Sequence, residues 1–498
     1  MAEFPRCSGI LLHPTSFPGP YGIGSFNKVA YEFVDFLARA GQKLWQVLPM
    51  GPTSYGDSPY QSFSSFAGNP YLVPLETLVE EGLLDAAALD GHPQFLPRGV
   101  DYCQMYEWKL PLLLKAAGEF ERRANPSQKA DFHHFCSQHG PDWLDDFALF
   151  MALKHVQGGK AWNEWPVELR DRHPEALARA RHQQAELVHG HRFIQWLFER
   201  GWQHLRSYAN GKGIRVIGDI PIFVAMDSAD TWVAPHAFHL DKDKRPSVQA
   251  GVPPDYFSPD GQLWGNPLYR WKEMKQDGFL WWLARIQAAF RLYDIVRVDH
   301  FRGFAAYYEV SGKAKNARQG RWVKAPGLEL FRRVKKVLGD LPIIAEDLGL
   351  ITPDVLKLVE ATGFPGMKVL QFAFGSDAHD KFLPHNYNSH CVAYTGTHDN
   401  DTSQGWYETA DEGQKDYFRR YFNTDGLRVA HTLIRGVFAS VASMVVVPLQ
   451  DVLEVGTEAR MNFPGRRHDN WLWRYDEGAI KPEHEQFLLD LARTYGRA

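Results

Sequence analysis

Eight short runs rich in apolar and β-branched residues recur along this chain, with helix-like segments between most of them. They lie at 9–13, 44–49, 215–220, 294–299, 342–346, 367–372, 391–394 and 443–449. Several are apolar almost throughout, as parallel strands covered on both faces must be. Strands that alternate with helices imply βα units and a parallel sheet. Eight such units suggest a closed (β/α)8 barrel. The intervening spacing agrees. A helix over 29–40 puts Phe33, Phe36 and Leu37 on one face, and one over 328–338 does the same for Leu330, Val334 and Val337. Thr352-Pro353-Asp354 marks the start of a helix over 354–361.

Two gaps are too long for plain βα units. Residues 73–209 are dominated by Ala, Leu, Glu, Gln, Arg and His and read as a helical insertion, with helices over 167–181 and 192–209. Residues 224–280 are rich in Pro, Gly, Asp and Trp and read as irregular loops at the barrel mouth. Long loops of this kind are usually functional. The expected organisation is therefore barrel at 1–72, helical subdomain at 73–209, and barrel again at 210–498 with a loop-rich insertion at 224–280. A chain of 498 residues can bury a core large enough for this.

Four of the runs lead into a carboxylate: Asp219, Asp299, Glu346 and Asp399. Ionised carboxylates resist burial unless they are paired or functional. In a parallel barrel, catalytic groups project from the carboxyl ends of different strands, so these four acids should converge on one cleft. Arg297 stands two residues before Asp299, on the same side of a strand, where it would hold the Asp299 pKa down. Glu346 is followed by Asp347, and neighbours on a strand point oppositely, so one of the two faces the site. A pair of carboxylates serving an oxocarbenium-like transition state is the signature of glycoside cleavage. Asp299 would be the ionised nucleophile. Glu346 would be the proton donor, its pKa raised by desolvation and neighbouring anions. Asp399 would hold substrate hydroxyls, and His300 and His398 could donate hydrogen bonds to sugar oxygens. Asp219 reads either as a functional acid or as the partner of a barrel arginine. His13 stays open between contacting substrate and shaping the rim.

Several function classes are excluded. A net charge of −4 gives no reason to expect nucleic acid or a membrane as partner. Cys7, Cys103, Cys136 and Cys391 are widely spaced, which argues against structural zinc and a disulfide framework and for free thiols in a reducing, cytoplasmic setting. No signal peptide is visible in the opening residues, and no apolar run is long enough to span a bilayer. The sequon Asn400-Asp401-Thr402 is then a chance match. No His-Glu-x-x-His or Cys/His cluster suggests a metal. The glycines at 19–24 lack a dinucleotide fingerprint, and no Gly-x-Ser-x-Gly elbow occurs. No cofactor is expected.

Arg297-Val298-Asp299-His300, Ala345-Glu346-Asp347 and Thr397-His398-Asp399-Asn400 resemble conserved regions of the α-amylase clan. More closely, the chain resembles the amylomaltases, the 4-α-glucanotransferases of glycoside hydrolase family 77. The runs at 54–62, 218–224, 251–257, 261–269 and 461–465 carry this resemblance. It implies a (β/α)8 barrel with inserted subdomains and no C-terminal β-domain. It implies Asp299 as nucleophile, Glu346 as acid/base, and Asp399 as transition-state stabiliser, with Asp219 in the first conserved region. Many α-amylases carry an Asn-His pair just after that aspartate; this chain reads Asp219-Ile220-Pro221-Ile222-Phe223-Val224 instead, which weakens a plain amylase reading. The implied substrates are maltooligosaccharides and starch- or glycogen-derived α-1,4-glucans, with intramolecular transfer giving cyclic products. The rivals are a hydrolase of the same clan and a non-catalytic glucan-binding protein. Retention implies about 5–5.5 Å between the Asp299 and Glu346 carboxyl groups. A loop carrying Tyr256, Phe257 and Trp264 would help exclude water. Tyr60 would stack at the acceptor side, and Asn462 would bond a donor-side hydroxyl.

Overall fold

The computed structural model describes residues 4–254, 259–466 and 468–498; Tyr256 and Phe257 lie outside the described residues. Eight parallel strands make up the barrel: β1 (Cys7–Leu11), β2 (Leu44–Gln46), β3 (Arg215–Ile220), β4 (Ile295–Val298), β5 (Ile343–Ala345), β6 (Gly366–Val369), β7 (Cys391–Tyr394) and β8 (Met444–Pro448). They are bonded side by side in the order β6, β7, β8, β1, β2, β3, β4, β5. Every residue of β1, β2, β4, β5, β7 and β8 is buried, which is why these runs are apolar without alternation.

The seam between β5 and β6 is closed partly by a side chain. Ala345 N–H donates to the Pro365 carbonyl at 3.0 Å, and Met367 N–H donates to Asp347 Oδ1 at 2.7 Å. Gly366 permits this approach, since a Cβ there would sit 2.5 Å from Asp347 Oδ2. Asp347 is thus occupied at the seam and Glu346 is left for the cleft. Asp347→Ala should strand the Met367 N–H and cost about 1–3 kcal/mol, read as a lower urea midpoint.

Helices cover the barrel where periodicity predicts them, with two corrections. Asn27 caps Lys28–Arg39 by accepting from Val29 N–H at 3.1 Å, and Phe33, Phe36 and Leu37 are buried. In Gly327–Leu338 the buried stripe is Leu330, Phe331 and Val334, centred between 330 and 331. Val337 falls off its edge and is 47 % exposed. The helix expected over 167–181 is broken into Val167–Arg170 and Pro174–Gln183. Pro174 lacks an N–H and disfavours helical geometry just before it, and Arg172 turns to φ +59.

Between β2 and β3 the chain is mainly helical, including Tyr102–Arg123, Asp145–Val156 and Ala185–Gly211. Phe147, Phe150, Trp162 and Trp165 form an apolar cluster of their own with Trp232. The stretch 224–280 contributes strands Val248–Val252 and Gln262–Pro267 to a four-stranded antiparallel sheet completed by Ala306–Ser311 and Gly320–Lys324. Its Pro- and Gly-rich composition conceals them. Among the described residues no strand follows β8. No helix of the described residues is long and apolar enough to cross a membrane.

Candidate active site

Strand register brings the acids together. Asp219 pairs with Arg297 across β3 and β4, and Val298 pairs with Ala345 across β4 and β5. Asp299 and Glu346 are the next residues on their chains, so they leave from adjacent strand ends.

Arg297 is the hub, with its side chain only 3 % exposed. Its Nη1 donates to Asp219 Oδ2 at 2.5 Å and to Asp299 Oδ1 at 3.0 Å. Tyr60 OH donates to the same Asp219 oxygen at 2.9 Å. Asp219 is fully buried, and its carboxyl is raised by that burial while Arg297 opposes. Asp299 is the more accessible partner, at 27 %.

Glu346 has no ion pair among the described residues. Its Oε2 accepts from His300 N–H at 2.8 Å and its Oε1 from Leu348 N–H at 2.9 Å. Burial pushes its pKa up to about 8, with Arg297 opposing and the Asp299 charge adding. One guanidinium therefore faces three carboxylates, and burial raises the two most enclosed of them, Asp219 and Glu346. The His300 bond depends on an unusual turn, since His300 adopts φ +48 and ψ 49, a left-handed conformation that a non-glycine residue rarely takes. The strain sits immediately after Asp299 and aims the amide at Glu346.

Asp399, beyond β7, faces the same mouth and is 46 % exposed. Asn462 Nδ2 donates to its Oδ1 at 2.6 Å, and Arg460 Nη2 donates to its backbone carbonyl at 2.7 Å. His398 Nε2 lies 3.5 Å from Asp399 Oδ2. The His398 ring stacks on Tyr60 at 5.1 Å and 15°, with Trp471 nearby at 6.0 Å. Trp264, on Gln262–Pro267, meets the His300 ring edge to face at 4.8 Å. Tyr60, Asp219, Trp264, Arg297, Asp299, His300, Glu346, His398, Asp399 and Asn462 thus belong to one connected constellation. Within it, Tyr60 OH is taken up by Asp219, and the Asn462 amide by Asp399.

The family model described as 4-alpha-glucanotransferase, glycoside hydrolase family 77, matches residues 12–480. The chain belongs to this family. The 4-alpha-glucanotransferase of Thermus thermophilus is 50 % identical over 99 % of this chain and all of its own. The chloroplastic/amyloplastic 4-alpha-glucanotransferase of Solanum tuberosum is 43 % identical over 99 % of this chain and 86 % of its own. The solved amylomaltase of Streptococcus agalactiae, in complex with acarbose, superposes with a TM-score of 0.96 at 42 % identity, covering 99 % of this chain and all of that one.

Other parts of this family 77 site gave little sequence signal. Arg460 holds Asp399 through its backbone and stands one residue before the run at 461–465, which was the only hint. The amides of His300 and Leu348 that bind Glu346 depend on backbone conformation, which residue identity does not reveal.

Proposed function

We propose that this cleft transfers α-1,4-glucan segments to the 4-hydroxyl of another glucan by retaining double displacement. The observation that carries the mechanism is the division of labour around Arg297. Asp299 is ion-paired and partly open to the cleft, whereas Glu346 is unpaired and held by two amides with its pKa raised. Asp299 attacks the anomeric carbon as the bond to the leaving oxygen breaks, and Glu346 gives that oxygen its proton. The product is a β-glucosyl ester on Asp299. Glu346, now a carboxylate, takes the proton of an incoming 4-hydroxyl. That oxygen attacks the anomeric carbon and frees Asp299, with net retention. Asp399 and His398 bond sugar hydroxyls, with Asn462 orienting Asp399. Asp219 and Tyr60 fix Arg297 and hence the nucleophile.

Maltooligosaccharides and longer α-1,4-glucans are the proposed substrates; the acarbose held by the similar Streptococcus amylomaltase supports a ligand of this class. Free thiols at all four cysteines fit a cytoplasmic setting. Incubation with maltotriose tests the reading: a ladder of longer and shorter oligosaccharides with glucose is expected, and shortened products alone would mean that water wins. Transfer requires exclusion of water and a held acceptor. Trp264, packed on His300 beside both catalytic acids, is placed to contribute. Trp264→Ala should lower the ratio of transfer to hydrolysis, measured as ladder products against reducing ends released; an unchanged ratio removes Trp264 from this task.

A further inference from the structure

His13 follows β1 and His398 follows β7, and both are buried, at 4 % and 5 % exposure. They line one small pocket together with Ser16, Asn400, Gln450 and Arg460. Leu48 N–H donates to His13 Nδ1 at 3.3 Å. A neutral imidazole carries one proton, so the His13 proton is on Nε2. Burial keeps His13 neutral, and a proton on His398 would repel a second one there. On His398, Nδ1 is buried and has no hydrogen-bond partner among the described residues, while Nε2 lies on the Asp399 side. The pocket has room for a water molecule.

We propose that His13 is a positioning residue: its Nε2–H, through one water in this pocket, holds His398 Nδ1 as an acceptor and keeps the His398 proton on Nε2, toward Asp399 and the sugar. This inference rests on the assignment of His398 and Asp399 to hydroxyl binding. The opposite tautomer would turn the Nε2 lone pair onto the Asp399 carboxylate and give up the hydrogen bond that the water donates to Nδ1, both costly. Rotation of the ring is opposed by Tyr60, which stacks on it, and by Trp471, which packs against both. Asp399 by itself is a weak hold, because it is half exposed and 3.5 Å from Nε2. Other charges acting on His398 come from Arg297 and Asp299, both across the cleft.

Two substitutions separate this idea from a purely structural part for His13. His13→Asn keeps an acceptor near the Leu48 amide and loses the far donor. His13→Gln keeps a far donor and loses the near acceptor. The proposal expects His13→Asn to lower kcat for maltotriose transfer about tenfold, the scale of one hydrogen bond, with KM within about twofold. His13→Gln should stay within about threefold of the unmutated rate. In ¹⁵N-histidine spectra of the ligand-free protein, His398 should carry its proton on Nε2 in the unmutated protein and in His13→Gln, and exchange between tautomers in His13→Asn. His13→Gln as impaired as His13→Asn, or a proton on His398 Nδ1 in the unmutated protein, would overturn the proposal. Absence of transfer in the unmutated protein would overturn the functional reading instead, because the spectra need no substrate.

Discussion

Replacing Asp299 with Asn should abolish transfer, with a rate loss of about 10⁴-fold or more, while binding of maltooligosaccharides persists. The amide keeps the shape of the carboxylate but supplies no charge to form the glycosyl ester. A loss of that size corresponds to about 5.5 kcal/mol of transition-state stabilisation, and deleting one member of a unit that acts together commonly costs as much. Folding should survive, because Arg297 retains Asp219 as its partner at 2.5 Å and is not left as an unpaired buried charge. The measurement is product formation from maltotriose beside calorimetric binding of a longer oligosaccharide. A variant that kept a tenth of the activity would remove Asp299 as the nucleophile. A variant that lost binding as well would make the site something other than a cleft that binds first and reacts second.

Glu346→Gln should reduce transfer between natural sugars by about 10³-fold, within the range for loss of a general acid and base. The first step needs the protonated carboxyl. That form predominates below the raised pKa of about 8, so the rate of glycosyl-enzyme formation should fall as pH climbs through that value. In Glu346→Gln this basic limb should disappear. A donor with a leaving group that needs no proton, such as α-glucosyl fluoride, should restore the first step. The second step still lacks its base, so the glycosyl ester on Asp299 should accumulate and be visible by mass spectrometry of peptides. An unchanged basic limb, or an adduct on another residue, would break the assignment.

Much of the architecture is legible in the residues because burial on both faces leaves a strong mark. A parallel strand inside a barrel needs an apolar side chain at nearly every position, so all eight runs stand out and two have matching ends, Arg215–Ile220 and Cys391–Tyr394. The antiparallel sheet holding Trp264 was hidden because its strands are short, partly exposed and set among prolines and glycines. The break at Pro174 was legible in principle; apolar spacing on both sides outweighed it. Within the site, the acids and Arg297 were visible because period-two alternation puts residues 297 and 299 on one side of a strand.

The sequence alone determined the barrel, the convergence of four acids at its mouth, and the likeness to family 77, since each depends on local pattern and residue identity. Only the tertiary structure decided which acid is ion-paired and which is held by amides with its pKa raised. That choice depends on one guanidinium shared between residues 78 positions apart, on amides aimed by a left-handed turn at His300, and on burial. None of these is a property of a residue until the chain has closed around it.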